Sequence, residues 1–514
     1  MDIAKRSVRG SIILFVSNFA ATAISAVTVI LIARLLGPTG YGDYSLALVV
    51  PNILQLFIGF GALPAVVRYA AYYTSIGRVE EAKRFTMNVM IFLFMTGTVL
   101  TVITFFLAGS LSTFILGRPD LGPYVELTSV AVLGTTVLQA ASTSAIGWNW
   151  MALSGFTTAL QAILKLALAP LLVLIGLGVT GALVGHLASF FLAGTIGLAI
   201  LYLGKLRGFG GLGSFAADVK QMNSYGIPAY AGSVLSGLAI NFVLVILAHI
   251  ASSAVYGYYQ AASNFTTPIT LLASAMISSL FPAFASIDGL KGDVNSAFRH
   301  AYRFVAFFLT PVSLFVVAAA GPLVTSLLGA SYGPSVPYLQ LLALASLPIA
   351  FGYSVHPAFF NGFGRTRLTF VLYLTSSGAI FVAAPLLSET YSLGVDGLIY
   401  ATFLSYFVAW AVGTYLAFRF LHAALDILST AKILLVSAAS YLAVIVFPTT
   451  SHPVLNLAAD IVVFFGIYLT LAPLITAISK SDVDLVEVTL SQPAFIGKIA
   501  SPFLRYERLL VDLI

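Results

Sequence analysis

IARLLGPTGYGDYSLAL, Ile32 to Leu48, closes one long apolar run and opens another almost at once. Upstream of it, Ser11 to Ala33 supplies 23 residues without a charge. That exceeds the roughly 20 apolar residues a helix needs to cross a hydrocarbon core of about 30 Å. Proline cannot continue a helix, and glycine reaches backbone angles that other residues avoid. Gly37, Pro38, Gly40 and Gly42 are therefore expected to end the first helix and form a tight turn, a candidate hinge. The alternative to a hinge is a simple interfacial turn, with a snorkelling Arg34 facing Asp43.

The pattern recurs along the chain. Of 514 residues, 60% are hydrophobic and 8% are charged, against roughly 25% charged in a soluble domain. The fold class is read as an all-α polytopic membrane protein. Fourteen apolar spans separate at Gly, Pro and charged breaks, near 11–33, 44–66, 87–108, 123–146, 154–176, 179–203, 226–249, 255–284, 303–327, 334–356, 367–388, 394–420, 431–449 and 455–478. The first follows Lys5, Arg6 and Arg9, but its length exceeds the signal-peptide core of about 7 to 15 residues, so it is read as a retained helix. The chain has no cysteine, which excludes disulfides, thiolate metal sites and cysteine nucleophiles.

An even number of spans puts both termini on one side. With the N-terminus inside, 21 of the 24 Lys and Arg residues fall inside, leaving Arg34 and Arg118 outside and Lys165 within a span. This bias predicts a multi-pass protein of the cell membrane with both termini cytoplasmic. The net charge of +6 then follows from orientation, basic loops facing an anionic leaflet, and does not argue for a nucleic acid partner.

Around an offset of 215 the chain repeats itself. YGDY (Tyr41–Tyr44) meets YGYY (Tyr256–Tyr259), Arg84 meets Arg299, and LGPYVEL from Leu121 meets SVPYLQL from Ser335. LGVTGALVGHLAS from Leu177 meets LGVDGLIYATFLS from Leu393. Six helices per repeat predict two lobes, 1–210 and 211–425, related by an axis along the membrane normal, with an added two-helix hairpin at 426–479 and a cytoplasmic tail at 480–514.

The stretches ARLLGPTGYGDYSLAL at the first turn, GFGALPAVVRYAA from Gly59 and GRVEEAKR from Gly77 resemble the multidrug, oligosaccharidyl-lipid and polysaccharide exporter superfamily, in its polysaccharide transporter branch. The resemblance implies a flippase that moves lipid-linked oligosaccharides from the inner to the outer leaflet by alternating access. It also implies two six-helix bundles, with the first, second, seventh and eighth helices lining the cavity.

A polyprenyl or dolichyl phosphate headgroup is anionic, and a cleft that moves it needs a cation in reach. Lys165, midway along the fifth span, costs about 2.5–3.5 kcal/mol there on insertion scales and is the leading candidate. The alternative is a lysine satisfied by a polar neighbour or by Glu126. Arg68, at the inner end of the second span, either receives the phosphate or anchors the helix, and Arg34 is placed to release the headgroup outward. Asn18, Asn52, Gln55, Asn241, Gln260 and Asn264 are amides on the helices that the resemblance places around the cavity. They either bind sugar hydroxyls, which amides can both donate to and accept from, or join helices.

His186, His249 and His356, and also Asp460, are candidates for proton coupling. No His pair has metal-ligand spacing, so no metal and no cofactor are expected, and protons, sodium or membrane potential are the candidate driving forces. Beyond Lys480, Ser481 and Ser501 read as caps of two amphipathic helices on the inner surface, with Pro502 at a first position and Arg505 and Arg508 on the polar face; capping also explains Asp482 and Asp484.

Two other functions compete. A drug or metabolite exporter of the same superfamily usually carries an acid in the first helix, and Ser11 to Ala33 has none. A membrane glycosyltransferase or polymerase would gather charged residues in a sizeable outer loop, whereas these loops offer little beyond Arg34, Asp43, Arg118, Asp120, Glu389 and Asp396. No catalytic residue is expected. The expected partners are the lipid-linked oligosaccharide, membrane lipids and glycan-assembly enzymes, and the chain is expected to be a monomer.

Overall fold

The computed structural model describes residues 2–477, except 209, 210, 212, 291, 292, 449 and 451. The amphipathic helices expected beyond Lys480 lie outside the described residues. Within them the chain is helical, without a strand. Eleven segments are long and apolar enough to cross a membrane, where the sequence reading expects fourteen. Met151–Leu206 runs through two expected spans, Ile13–Gln55 runs through the first into the second, and the expected span 255–284 is not among the eleven.

The opening stretch shows why. Helix Asp2–Ala47 is interrupted only at Gly37 (φ 67°, ψ 176°), a left-handed excursion that glycine makes without a Cβ clash. The expected four-residue turn is thus a one-residue break. Pro38 follows it, where the next helical segment begins and a missing N–H costs least. The true interruption of the second span comes later. Val49–Gln55 gives way to the 3-10 turn Ile58–Gly61, with positive φ at Gly59, Phe60 and Gly61, before Ala62–Ser75 resumes. Irregular backbone survives in a membrane only where protein or a water-filled cavity covers it. Here helix Phe215–Ile250 covers it: Tyr230 Oη donates to the Leu56 carbonyl at 2.8 Å, and a Cβ on Gly61 would overlap the Gly226 backbone.

The chain divides into two compact units, residues 1–260 and 261–514, whereas the sequence repeat turns over near 210. In the first unit, Phe85, Trp148 and Met222 share one core, and Trp148 Nε1 donates to Thr86 Oγ1 at 3.1 Å. In the second, Phe298, Tyr302, Phe359 and Phe360 form the main core. The hairpin of Ile427–Val446 and Pro453–Leu474 packs through Ile433, Phe464 and Tyr468 on helix Val294–Ala318, and Tyr468 Oη donates to the Phe307 carbonyl at 2.8 Å.

The repeat is visible in single interactions. Gln161 Nε2 donates to Ser189 Oγ at 3.0 Å, and the residues one repeat later, Ser376 and Ser405, bond through their hydroxyls at 2.9 Å. Arg84 pairs with Asp218 at 3.2 Å and Arg299 with Asp426 at 3.6 Å. Each joins the start of a repeat's third helix to the start of the helix that follows its sixth. Each fifth helix ends in a π turn, Val173–Leu177 or Leu386–Thr390, preceded by Pro170 or Pro385.

Candidate functional site

Helix Met151–Leu172 carries Gln161 and Lys165 one turn apart, and helix Gly178–Leu201 carries His186 and Ser189 at a spacing of three, so each pair shares a face. The Gln161 to Ser189 bond ties the two helices, and Ser189 Oγ also donates to the His186 carbonyl at 2.6 Å. From the YGDY stretch, the Tyr44 hydroxyl meets His186 Nδ1 at 2.9 Å, with Tyr44 itself only 4% exposed. Phe190 packs edge-on against the same imidazole at 5.0 Å. Lys165 lies near enough to His186 to act on it electrostatically.

Lys165 is half-buried and, among the described residues, has neither an ion pair nor a hydrogen bond. Among the described residues, neither Glu126 nor a polar side chain forms a hydrogen bond or ion pair with it. A charge withdrawn from water without a partner is costly. The second repeat shows how the same helix pair manages without one. In the register that matches Gln161 with Ser376, Lys165 falls on Ile380, which is 4% exposed. In the register that matches Ser189 with Ser405, His186 falls on Thr402, whose hydroxyl bonds its own helix at the Leu398 carbonyl, 2.9 Å away. The structural bond is duplicated and the charged group is not, so packing of this helix pair does not require the ammonium.

Arg68 follows the break in helix two. Its guanidinium lies 4.2 Å from the centroid of the Tyr225 ring and 5.4 Å from that of Tyr69, an arrangement in which the ring faces attract the cation. Tyr73 and Gln221 bond each other alongside, at 3.2–3.3 Å. Arg68 is exposed and has no carboxylate partner among the described residues. Four other basic groups of this unit are engaged with carboxylates: Arg78 with Glu81, Lys83 with Glu80, Arg84 with Asp218, and Arg118 with Asp120 and Asp43.

Arg34 sits three residues before the Gly37 break, on an exposed face. Asn18 and Asn52 are exposed and Gln55, Gln260 and Asn264 half-buried. Asn241 is 9% exposed and donates to the Gly237 carbonyl of its own helix at 2.9 Å. Among the described residues, no hydrogen bond or ion pair joins any two of Lys165, Arg68, Asn18, Asn52, Gln55 and Asn241. His249 bonds the Val245 carbonyl, His356 is fully buried against Tyr302 and Thr414, and Asp460 is 7% exposed. Among the described residues no three His, Cys, Asp or Glu side chains gather as a metal would require. Sequence reading missed Tyr44, Gln161, Gln221 and Tyr225. The repeat alignment, extended from Ser376 back to Gln161, is the signal that would have found Gln161.

The fold is that of known transporters. The lipid II flippase MurJ in an inward closed conformation superposes with a TM-score of 0.75 at 15% identity, covering 90% of this chain and 98% of that one. A multidrug resistance MATE family transporter of the MOP superfamily, in an inward-facing conformation, gives a TM-score of 0.64 at 18% identity over 76% and 92% of the two chains. In sequence, the chain is 22% identical over 364 residues to the lipopolysaccharide biosynthesis protein WzxC of Escherichia coli (strain K12), 68% of each protein. It is 24% identical over 329 residues to the succinoglycan biosynthesis transport protein ExoT of Rhizobium meliloti (strain 1021), 62% of each. The polysaccharide biosynthesis protein family model matches residues 7–288, more than half of the chain, and the protein belongs to that family.

Proposed function

We propose that this protein is a flippase carrying a lipid-linked oligosaccharide, on a polyprenyl or dolichyl phosphate, from the inner to the outer leaflet for polysaccharide or glycoprotein glycan biosynthesis. It works by alternating access and makes or breaks no covalent bond. The names of its relatives, a lipopolysaccharide biosynthesis protein and a succinoglycan transport protein, support the substrate class. The observation that carries the reading is Lys165, a cation with no carboxylate partner at a position where the second repeat holds Ile380.

In this mechanism Arg68, held on the Tyr225 ring face, receives the phosphate at the end of the chain's second helix. Lys165 then offsets its charge during passage, and Arg34 takes it at the far side. Because Lys165 pairs with no carboxylate among the described residues, it gives up no existing ion pair there when the phosphate arrives, and it binds the phosphate without a fixed multidentate cage. The exposed and half-buried amides serve the sugar hydroxyls. Both termini are cytoplasmic and the working unit is a monomer, reset by protons, sodium or membrane potential.

The test is reconstitution into vesicles with a labelled polyprenyl diphosphate oligosaccharide. Label should appear in the outer leaflet, and Lys165→Ala should slow it about tenfold or more, the worth of one charge-assisted contact. Unchanged translocation in Lys165→Ala would remove the headgroup site from the mechanism.

A further inference from the structure

The two repeat-related ion pairs are built alike and finished differently. In the first unit Arg84 reaches Asp218 through two N–H groups, at 3.2 and 3.4 Å, and Asn88 Nδ2 adds a third donor at 2.6 Å. Asp218 is 4% exposed, and Gly213 packs against the Arg84 side chain. The Arg84 side chain is itself 34% exposed, and its carboxylate partner is the buried member of the pair.

In the second unit Arg299 makes one contact with Asp426 at 3.6 Å and stays 47% exposed. At the same offset, Asn88 is replaced by Arg303. Between them opens a cavity of about 300 Å³ lined by Asp293, Arg299, His300, Arg303 and Asp426.

The two carboxylates in this lining are already committed. Asp293 caps helix Val294–Ala318, accepting from the N–H groups of Asn295 and Ser296 at 3.0 and 3.1 Å. Asp426 caps helix Ile427–Val446, accepting from the Ser429 N–H at 3.2 Å and its hydroxyl at 2.8 Å. Burial works to raise the Asp426 carboxyl, yet the Ser429 hydroxyl and N–H, with Arg299 and Arg303 nearby, hold it below its ordinary value. Both carboxylates of the lining thus serve as caps of their own helices, while two guanidinium groups and the His300 ring line the same space. The first repeat shows that the fold needs only one arginine here.

We propose that this cavity binds a phosphate group, with Arg299 and Arg303 as its ligands. It lies where spans Val294–Ala318 and Ile427–Val446 both begin, the level at which the phosphates of membrane lipids stand. An anionic lipid headgroup and free phosphate share this chemistry, and neither depends on the transported substrate.

Arg303→Asn copies the first repeat and should fold; Arg367→Gln, on an exposed basic turn, is the charge-matched control. The purified full chain is loaded with phosphatidylglycerol or phosphatidylcholine and bound lipid is counted by native mass spectrometry, while melting is followed with inorganic phosphate. Retained phosphatidylglycerol should fall about tenfold in Arg303→Asn and stay unchanged in Arg367→Gln. If inorganic phosphate alone raises the melting temperature, and Arg303→Asn abolishes the rise, the ligand comes from solution and the site stands. Should Arg303→Asn misfold, Arg299→Gln carries the same comparison. The proposal is overturned if the folded variants bind phosphatidylglycerol and phosphate like wild type, or if wild type distinguishes neither from phosphatidylcholine and plain buffer.

Discussion

Gly42 and Gly257 are repeat-related residues that pack against each other reciprocally. A Cβ on Gly42 would overlap the carbonyl oxygen of Ser253, and a Cβ on Gly257 would overlap that of Pro38. Pro38 and Ser253 stand at the same offset as the two glycines, so the contact maps onto itself when the repeats are exchanged, as an isologous interface does between two subunits. Small residues let helix backbones come this close. Arg118, which bonds Ser253 Oγ at 2.8 Å and pairs with Asp120 and Asp43, lies beside the contact.

Gly42→Ala and Gly257→Ala should therefore cost similar amounts, about 1–3 kcal/mol each, because both force the same two helices apart. Once separated, the helices lose little more, so the double variant should fall well short of the sum. Thermal unfolding of the three variants checks this; additive losses would mean that the two glycines do not share one contact.

Removing Lys165 should not destabilise the protein. Ile380 fills the equivalent position in the second repeat, and an unpaired ammonium in a span costs about 2.5–3.5 kcal/mol on insertion scales. Lys165→Ile is expected to melt at or above the wild-type temperature. A clear drop would mean that the lysine supports the fold.

The two repeat-related ion pairs should differ in worth. Asp218→Asn weakens three hydrogen bonds converging on a buried carboxylate and should cost about 1–3 kcal/mol. Arg299→Gln, at a half-exposed contact, should cost about 0–1 kcal/mol. Denaturation of the two variants, each against wild type, ranks them, and equal losses would contradict the difference in burial.

Asp426 gives a pH dependence of defined sign. Its carboxyl is held below its ordinary value in the folded chain, so its contribution is complete above the unfolded value of about 3.9 and disappears as pH falls through the lower folded value. The melting difference between wild type and Asp426→Asn should be constant from pH 7 to about pH 5 and close below about pH 4. A difference that widened on acidification would reverse the sign.

The long charge-free run at Ser11 to Ala33, the duplicated YG motif and the lone Lys165 were all legible in the chain, because composition and period alone decide them. Where the helices break was not. Gly37 is one of four turn-formers in IARLLGPTGYGDYSLAL, yet it alone departs from helix, since Pro38 tolerates the start of the next segment and Gly42 is used for close approach. The break at Phe57–Gly61 reads as part of a continuous apolar span until Tyr230 and Gly226 cover it. The partners of Arg68 and His186, namely Tyr225 and Tyr44, lie about 150 residues away along the chain, beyond any local pattern. Arg84 reads as a repeat marker, but its role depends on Asp218, which has no counterpart at the common offset.

The role proposed for Lys165 is in transport and not in folding. The initial rate at which labelled polyprenyl diphosphate oligosaccharide reaches the outer leaflet, in vesicles holding equal amounts of folded wild type, Lys165→Arg and Lys165→Ile, tests it most directly. Arginine should keep a measurable fraction of the rate, and isoleucine should lower it about tenfold or more. Isoleucine matching wild type would contradict it.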